Sequence, residues 1–245
     1  MNITEIENPY HLNVEKMKMS CNDNAHNVPE PLQRGSFFYI IVGQPQSGKT
    51  NLWLNLIKRR RCFYYKQFHK IYIFSNSIHT INEKISLPPE QIIKGFSEDK
   101  LQQVIDEEEE EERNRDDDEE PSRVLMIFDD VVSGIKKNLP SMLKLTFNRR
   151  HIGGGVSIML ISQKFNKIPL ELRTVATGLF FFSTKNRQEI ESVWKEYGDV
   201  SKETFFNVLR YIFDTRHNFL YISLTKPQGE TMHKNFNQLT ISDGT

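Results

Sequence analysis

Short unbroken apolar runs alternate along this chain with longer segments in which apolar positions recur every three or four residues. Residues 36–43 read SFFYIIVG, an apolar run closed by glycine, and KIYIFS (70–75), VLMIF (124–128), VSIMLIS (156–162) and GLFFFS (178–183) repeat that pattern. Such runs, bounded by turn residues, predict strands buried on both faces, as in a parallel sheet. Residues 51–60, NLWLNLIKRR, place Leu52, Leu56 and either Trp53 or Ile57 on one helical face. Further helices are expected over 98–105, 139–147, 187–197 and 202–213, with another strand over 219–224. The alternation predicts an α/β fold, a mostly parallel central sheet flanked by helices. Residues 1–35 carry Pro29, Pro31 and several asparagines without a period, and read as an irregular arm. The domain is expected over 36–225, leaving 226–245 as a C-terminal tail.

Charge changes this picture in one place. The formal net charge is zero over 245 residues, but residues 106–120 (DEEEEEERNRDDDEE) hold 12 carboxylates and 2 arginines. Without them the chain has 30 basic and 20 acidic residues, with clusters at 58–61 (KRRR), Lys136-Lys137 and Arg149-Arg150-His151. A positive body suits a polyanion such as nucleic acid, although basic clusters also occur as merely solvated faces. The acidic run is expected to be a disordered loop, because like charges in sequence repel one another. It serves either as a spacer or as a mimic of the DNA backbone that shields the basic body. No stretch approaches the length of a membrane span, and the N-terminus lacks the basic and apolar regions of a secretory signal. With only Cys21 and Cys62, the composition fits a reducing, intracellular setting.

The chemistry concentrates in three places. GQPQSGKT (Gly43, Gln44, Pro45, Gln46, Ser47, Gly48, Lys49, Thr50) matches the phosphate-binding loop at every fixed position. Glycines let successive N–H groups face the phosphates, Lys49 reaches the β- and γ-phosphates, and the Thr50 hydroxyl is placed to ligate magnesium. The loop follows a buried strand and opens a helix, whose N-terminal dipole favours the same anion. VLMIFDD (124–130) then delivers Asp129 and Asp130 to a strand tip, the edge where open α/β sheets bind ligands. Asp129 is the expected magnesium carboxylate and Asp130 the general base. Gln163, directly after the 156–162 strand, is positioned to touch the γ-phosphate or the attacking water. A guanine reader is absent at Asn166-Lys167, which Ile168-Pro169 follow, and this argues against a GTPase. Arg150 and Arg173 flank the same strand. An arginine presented to a neighbour's nucleotide accelerates hydrolysis by roughly 10³ to 10⁵.

In order, GQPQSGKT, LMIFDDV and NRRHIGGGVSIMLISQKFNKIPLELR resemble the viral genome-packaging ATPases of the FtsK–HerA superfamily, in the poxvirus-type branch of large DNA viruses and virophages. In that family the last block reads Arg-His, a spacer, an apolar strand, Ser/Thr-Gln, and Pro followed by Arg; here these are Arg150, His151, Ser162, Gln163, Pro169 and Arg173. The resemblance covers about residues 36–183. It implies a P-loop NTPase core of the RecA-like type that uses ATP and Mg²⁺. It further implies a homo-oligomeric ring driving double-stranded DNA into a preformed capsid, capsid or portal-like vertex proteins as partners, and a place in the virion or the host-cell cytoplasm. The Gly153-Gly154-Gly155 turn and the acidic insertion depart from the pattern. Two other readings use the same loop: a helicase or DNA-transfer ATPase, and a non-motor kinase or nucleotide-gated scaffold.

Overall fold

Parallel pairing of the apolar runs builds the centre of the molecule. In the computed structural model, which describes residues 2–6, 28–58, 63–77, 87–116, 118–119 and 121–242, they become β2 (Phe38–Val42), β3 (Lys70–Ser75), β5 (Val124–Asp129), β6 (Val156–Ser162) and β7 (Gly178–Phe182). A short β4 (Ile92–Lys94) lies outside β3. All neighbours among these six strands pair in parallel. On the far side of β7 the sheet turns antiparallel through β8 (Phe219–Ser223), β9 (Met232–Lys234), β10 (Asn237–Ser242) and β1 (Asn2–Ile6). The ten-stranded order is β1-β10-β9-β8-β7-β2-β6-β5-β3-β4. The strand carrying Gln163 at its tip therefore lies between the P-loop strand and the strand that carries Asp129, as the sequence suggests.

Alternate residues of β2 divide the core. Phe38, Ile40 and Val42 face one side, where they join apolar residues of α2 (Glu98–Asn114), α3 (Val132–Lys137), α4 (Leu139–Asn148), α5 (Leu170–Thr174), α6 (Arg187–Tyr197) and α7 (Lys202–Ile212). Phe37, Tyr39 and Ile41 face the other, packing with α1 (Lys49–Lys58) and a dense aromatic group of Tyr64, Phe180, Tyr221 and Phe236. A seven-residue strand buried along its whole length, such as β6, needs this two-sided cover.

Three expectations fail here. The acidic run is not a disordered loop over its first nine residues: α2 continues from Asp106 to Asn114, and the helix ends there. Leu101, Val104 and Ile105 are buried on one face, and Glu108 occupies the next position of the same stripe, its side chain fully buried. Lys70 meets it there, with Nζ at 2.9 Å from Glu108 and 2.5 Å from Glu111. Glutamate is a good helix former, and one partly exposed cation reduces the repulsion at the buried carboxylate. The 226–245 segment is not a tail either, since β9 and β10 form a hairpin that extends the sheet, and β1 adds to it from the supposed irregular arm. Asn235 takes the left-handed conformation at the hairpin turn, with φ of 57°. These strands mix polar and apolar residues, with Met232 and Leu239, and Phe236 of the turn between them, turned into the core, so they lack the unbroken runs of the central strands. Residues 7–27, including Cys21, and 59–62, which hold Cys62 and most of KRRR, lie outside the described residues.

Candidate active site

The C-terminal tips of β2, β3, β5 and β6 meet at one edge of the sheet. The loop after β2 turns into α1 through Gly48, whose φ of +110° a residue with a Cβ rarely adopts. At Gly43 a side chain would lie 2.4 Å from Ser47 Oγ and 2.7 Å from Phe182 Cβ, so the start of the loop must also be glycine. The Gly43 N–H donates to Ser162 O at 3.2 Å, which fixes the loop to the β6 tip. Lys49 donates Nζ–H to Gly43 O at 2.7 Å and to Gln44 O at 2.9 Å, folding its ammonium over its own loop. Burial pulls the Lys49 pKa down, against the opposing charges of Asp129 and Asp130. Thr50 stands in the first turn of α1, where helix geometry leaves N–H groups without intrahelical partners.

Asp129 ends β5 in register with Ser75 of β3 and accepts its hydroxyl at 3.4 Å. Burial raises the Asp129 pKa, and the adjacent Asp130 carboxylate raises it further; Ser75 and Lys49 act in the other direction. Asp130 has φ of 56°, an uncommon conformation for a residue with a side chain. Its N–H continues the ladder to Ile161 O at 3.1 Å, and its carbonyl accepts from Asn76 Nδ2 at 3.3 Å. Held on both sides in this way, Asp130 turns its carboxylate toward β6, where Gln163 Nε2 donates to Oδ2 at 2.6 Å.

Lys49, Asp129, Asp130 and Gln163 are thus brought to one edge. The two arginines are not. Arg150 is exposed after α4, before β6 begins. β6 advances about 3.3 Å per residue, so its seven residues set Arg150 roughly 20 Å from the tip that carries Gln163. Arg173 is committed within the chain: it is ion-paired with Glu196, its guanidinium lies 4.7 Å above the Phe165 ring, and its side chain is 12% exposed. Presentation of Arg173 to a neighbour, as the sequence pattern suggests, does not fit that burial. Arg149 is also buried and donates to Thr146 O at 2.7 Å.

Sequence reasoning missed several neighbours of this edge. His217, between α7 and β8, has Nδ1 at 3.1 Å from Ser47 O and rests on the P-loop. Phe182 closes the loop from below, and Ser75 and Asn76 brace the two aspartates. The polar Ser-Asn pair that ends KIYIFS was a usable signal; nothing near His217 in the sequence marks it. The oxygen donors fit a magnesium ion. Thr50 offers a hydroxyl and Asp129 a carboxylate, both hard ligands, and a cation would relieve the repulsion that raises the Asp129 pKa.

Comparison with known proteins agrees with this geometry. The fold matches the genome packaging NTPase B204 of Sulfolobus turreted icosahedral virus 2 in complex with ATP-gammaS, at 15% identity and a TM-score of 0.56, over 82% of this chain and 98% of that one. B204, the DNA-packaging ATPase of Sulfolobus turreted icosahedral virus, matches at 14% identity and a TM-score of 0.58, over the same shares. The pCW3 conjugation coupling protein TcpA with ATPgS matches at 11% identity and a TM-score of 0.50, covering 83% of this chain and 60% of that one. At these identities the likeness speaks for the fold. No curated protein matches closely enough to carry an argument. The family model described as Poxvirus A32 protein matches residues 25–224, which hold every motif of the site. The chain belongs to the Poxvirus A32 protein family and is a P-loop ATPase of the FtsK–HerA viral packaging type.

Proposed function

We propose that this ATPase drives double-stranded DNA into a preformed capsid, working as a homo-oligomeric ring. The observation that carries the hydrolytic reading is the second carboxylate: Asp130 stands beside Asp129 at the sheet edge, hydrogen-bonded to Gln163 at 2.6 Å. In this reading Lys49 and the loop N–H groups hold the ATP phosphates. Thr50 and Asp129 hold Mg²⁺, which offsets phosphate charge when bound. Asp130 takes a proton from the water that attacks the γ-phosphorus, and Gln163 orients that water. The leaving group is ADP. Arg150 lies at the opposite edge from its own site, which suits a role only at a neighbour's.

Family membership and the B204 likeness support genome packaging over the helicase and non-motor readings. Turnover measured with long duplex DNA, single strands and no DNA tests the choice. Stimulation by duplex alone is expected; stimulation by single strands alone points to a helicase, and none to a non-motor enzyme. In the same assay Lys49→Ala abolishes tight ATP binding, whereas Asp130→Asn keeps it and loses turnover. Equal loss of ATP affinity in both overturns the division of roles.

A further inference from the structure

Three lysines surround the cavity that opens beside Asp130. It has a volume of about 350 Å³, and its lining includes Asp130, Ser133, Gln163, Lys136, Lys164 and Lys167. Lys136 comes from the last turn of α3, and the other two from the segment between β6 and α5. All three are exposed, and none forms an ion pair among the described residues. Three ammonium groups against the single carboxylate of Asp130 leave a net positive mouth, which attracts an anion. They sit on long solvated stems, an arrangement suited to a polyanion that stays wet rather than to one sequestered phosphate.

The segment that carries two of them is rigid. Phe165 is fully buried beneath the Arg173 guanidinium. Ser162 Oγ donates to Lys164 O at 2.9 Å and accepts from Lys164 N at 3.2 Å. A force on Lys164, one residue from Gln163, or on Lys167, four residues away, therefore reaches Gln163 and through it the Asp130 carboxylate. We propose that Lys136, Lys164 and Lys167 grip the phosphodiester backbone of duplex DNA and that Gln163 relays this contact to hydrolysis. The inference rests on the DNA-motor reading above.

The test compares the full chain with its Lys136→Gln/Lys164→Gln/Lys167→Gln variant, using Lys195→Gln on α6 as a charge control. Affinity for a fluorescent 30-base-pair duplex is followed by anisotropy through a salt titration with a non-hydrolysable ATP analogue. The triple variant is expected to have a slope of log affinity against log salt shallower by about 2.7, and affinity lower by on the order of 10²-fold near 0.15 M salt. Single replacements should each give about a third of that slope change. Gln163→Ala should keep duplex affinity but lower turnover with and without duplex, so the relay is read from the ratio of the two rates: a ratio near one supports it, and a parental ratio at reduced rates overturns it. If the triple variant binds duplex and is stimulated like the parent, the lysines are not the grip, though the motor reading stands. If it loses affinity for the ATP analogue while duplex binding is unchanged, the lysines serve the nucleotide and the proposal is wrong. A parent chain that neither binds duplex nor responds to it overturns the motor reading itself.

Discussion

Gln163 donates its side-chain N–H to Asp130 at 2.6 Å, joining the tip of β6 to the residue just past the tip of β5. The bond sets the direction of the carboxylate that faces the attacking water in the proposed reaction. A positioned general base contributes on the order of 10²–10⁴ in turnover, and the bond that aims it is needed for that gain. Gln163→Ala is therefore expected to lose about that factor in single-turnover hydrolysis, with ATP affinity within about threefold of the parent. Turnover at parental rates would show that the bond is only a strand cap.

Arg150 is exposed at the far edge of the sheet, whereas Arg173 is stacked on Phe165 and paired with Glu196. Arg150→Ala subunits should bind ATP normally yet hydrolyse it at least roughly 10³-fold more slowly, the range of a lost arginine finger. Mixing them with Lys49→Ala subunits should restore part of the activity, because some interfaces then join an intact P-loop to an intact arginine. Full activity of Arg150→Ala alone, with no gain on mixing, places the finger elsewhere.

Lys70 neutralises a carboxylate that has no access to water, and its own pKa is raised to about 12; burial opposes this, but the bonds to Glu111 and Glu108 prevail. Lys70→Met leaves the buried Glu108 without its cation, one of its oxygens already lacking a partner. The expected loss in chemical denaturation is about 2–4 kcal/mol, and adding Glu108→Leu should recover most of it. An unchanged midpoint for Lys70→Met would mean that α2 does not depend on this pair.

His233 on β9 is buried, and burial pushes its pKa from 6.5 down to about 4, against hydrogen bonds to the backbone of Thr231 and Tyr221. Below pH 6.5 the unfolded chain takes up a proton that the folded chain does not. Stability should therefore fall as pH drops from 6.5 towards 4, by up to roughly 3 kcal/mol from this residue. Equilibrium unfolding of His233→Gln across that window should show a shallower slope; identical slopes would assign the dependence to other groups.

Local chemistry made much of the molecule legible in the sequence. The six parallel strands needed for a two-sided core announced themselves as unbroken apolar runs, apart from the three-residue β4, which is too short to carry a pattern. The P-loop was readable because phosphate binding demands glycine where the backbone turns sharply, as at Gly48, and a lysine directly after it. The paired aspartates were readable because a strand tip is the only place where such an apolar run can end in charge. Tertiary structure decided the rest. A part-buried ion pair between residues 38 positions apart holds the first part of a repelling acidic run, to Asn114, as helix. Hairpin pairing drew both ends of the chain into the sheet through strands that are weakly marked, because half of their residues stay polar. Arg150 and Arg173 are both candidates as sequence, with Arg150 favoured. Only the packing of Phe165 and Glu196 shows that one is held inside the chain and the other left at its surface.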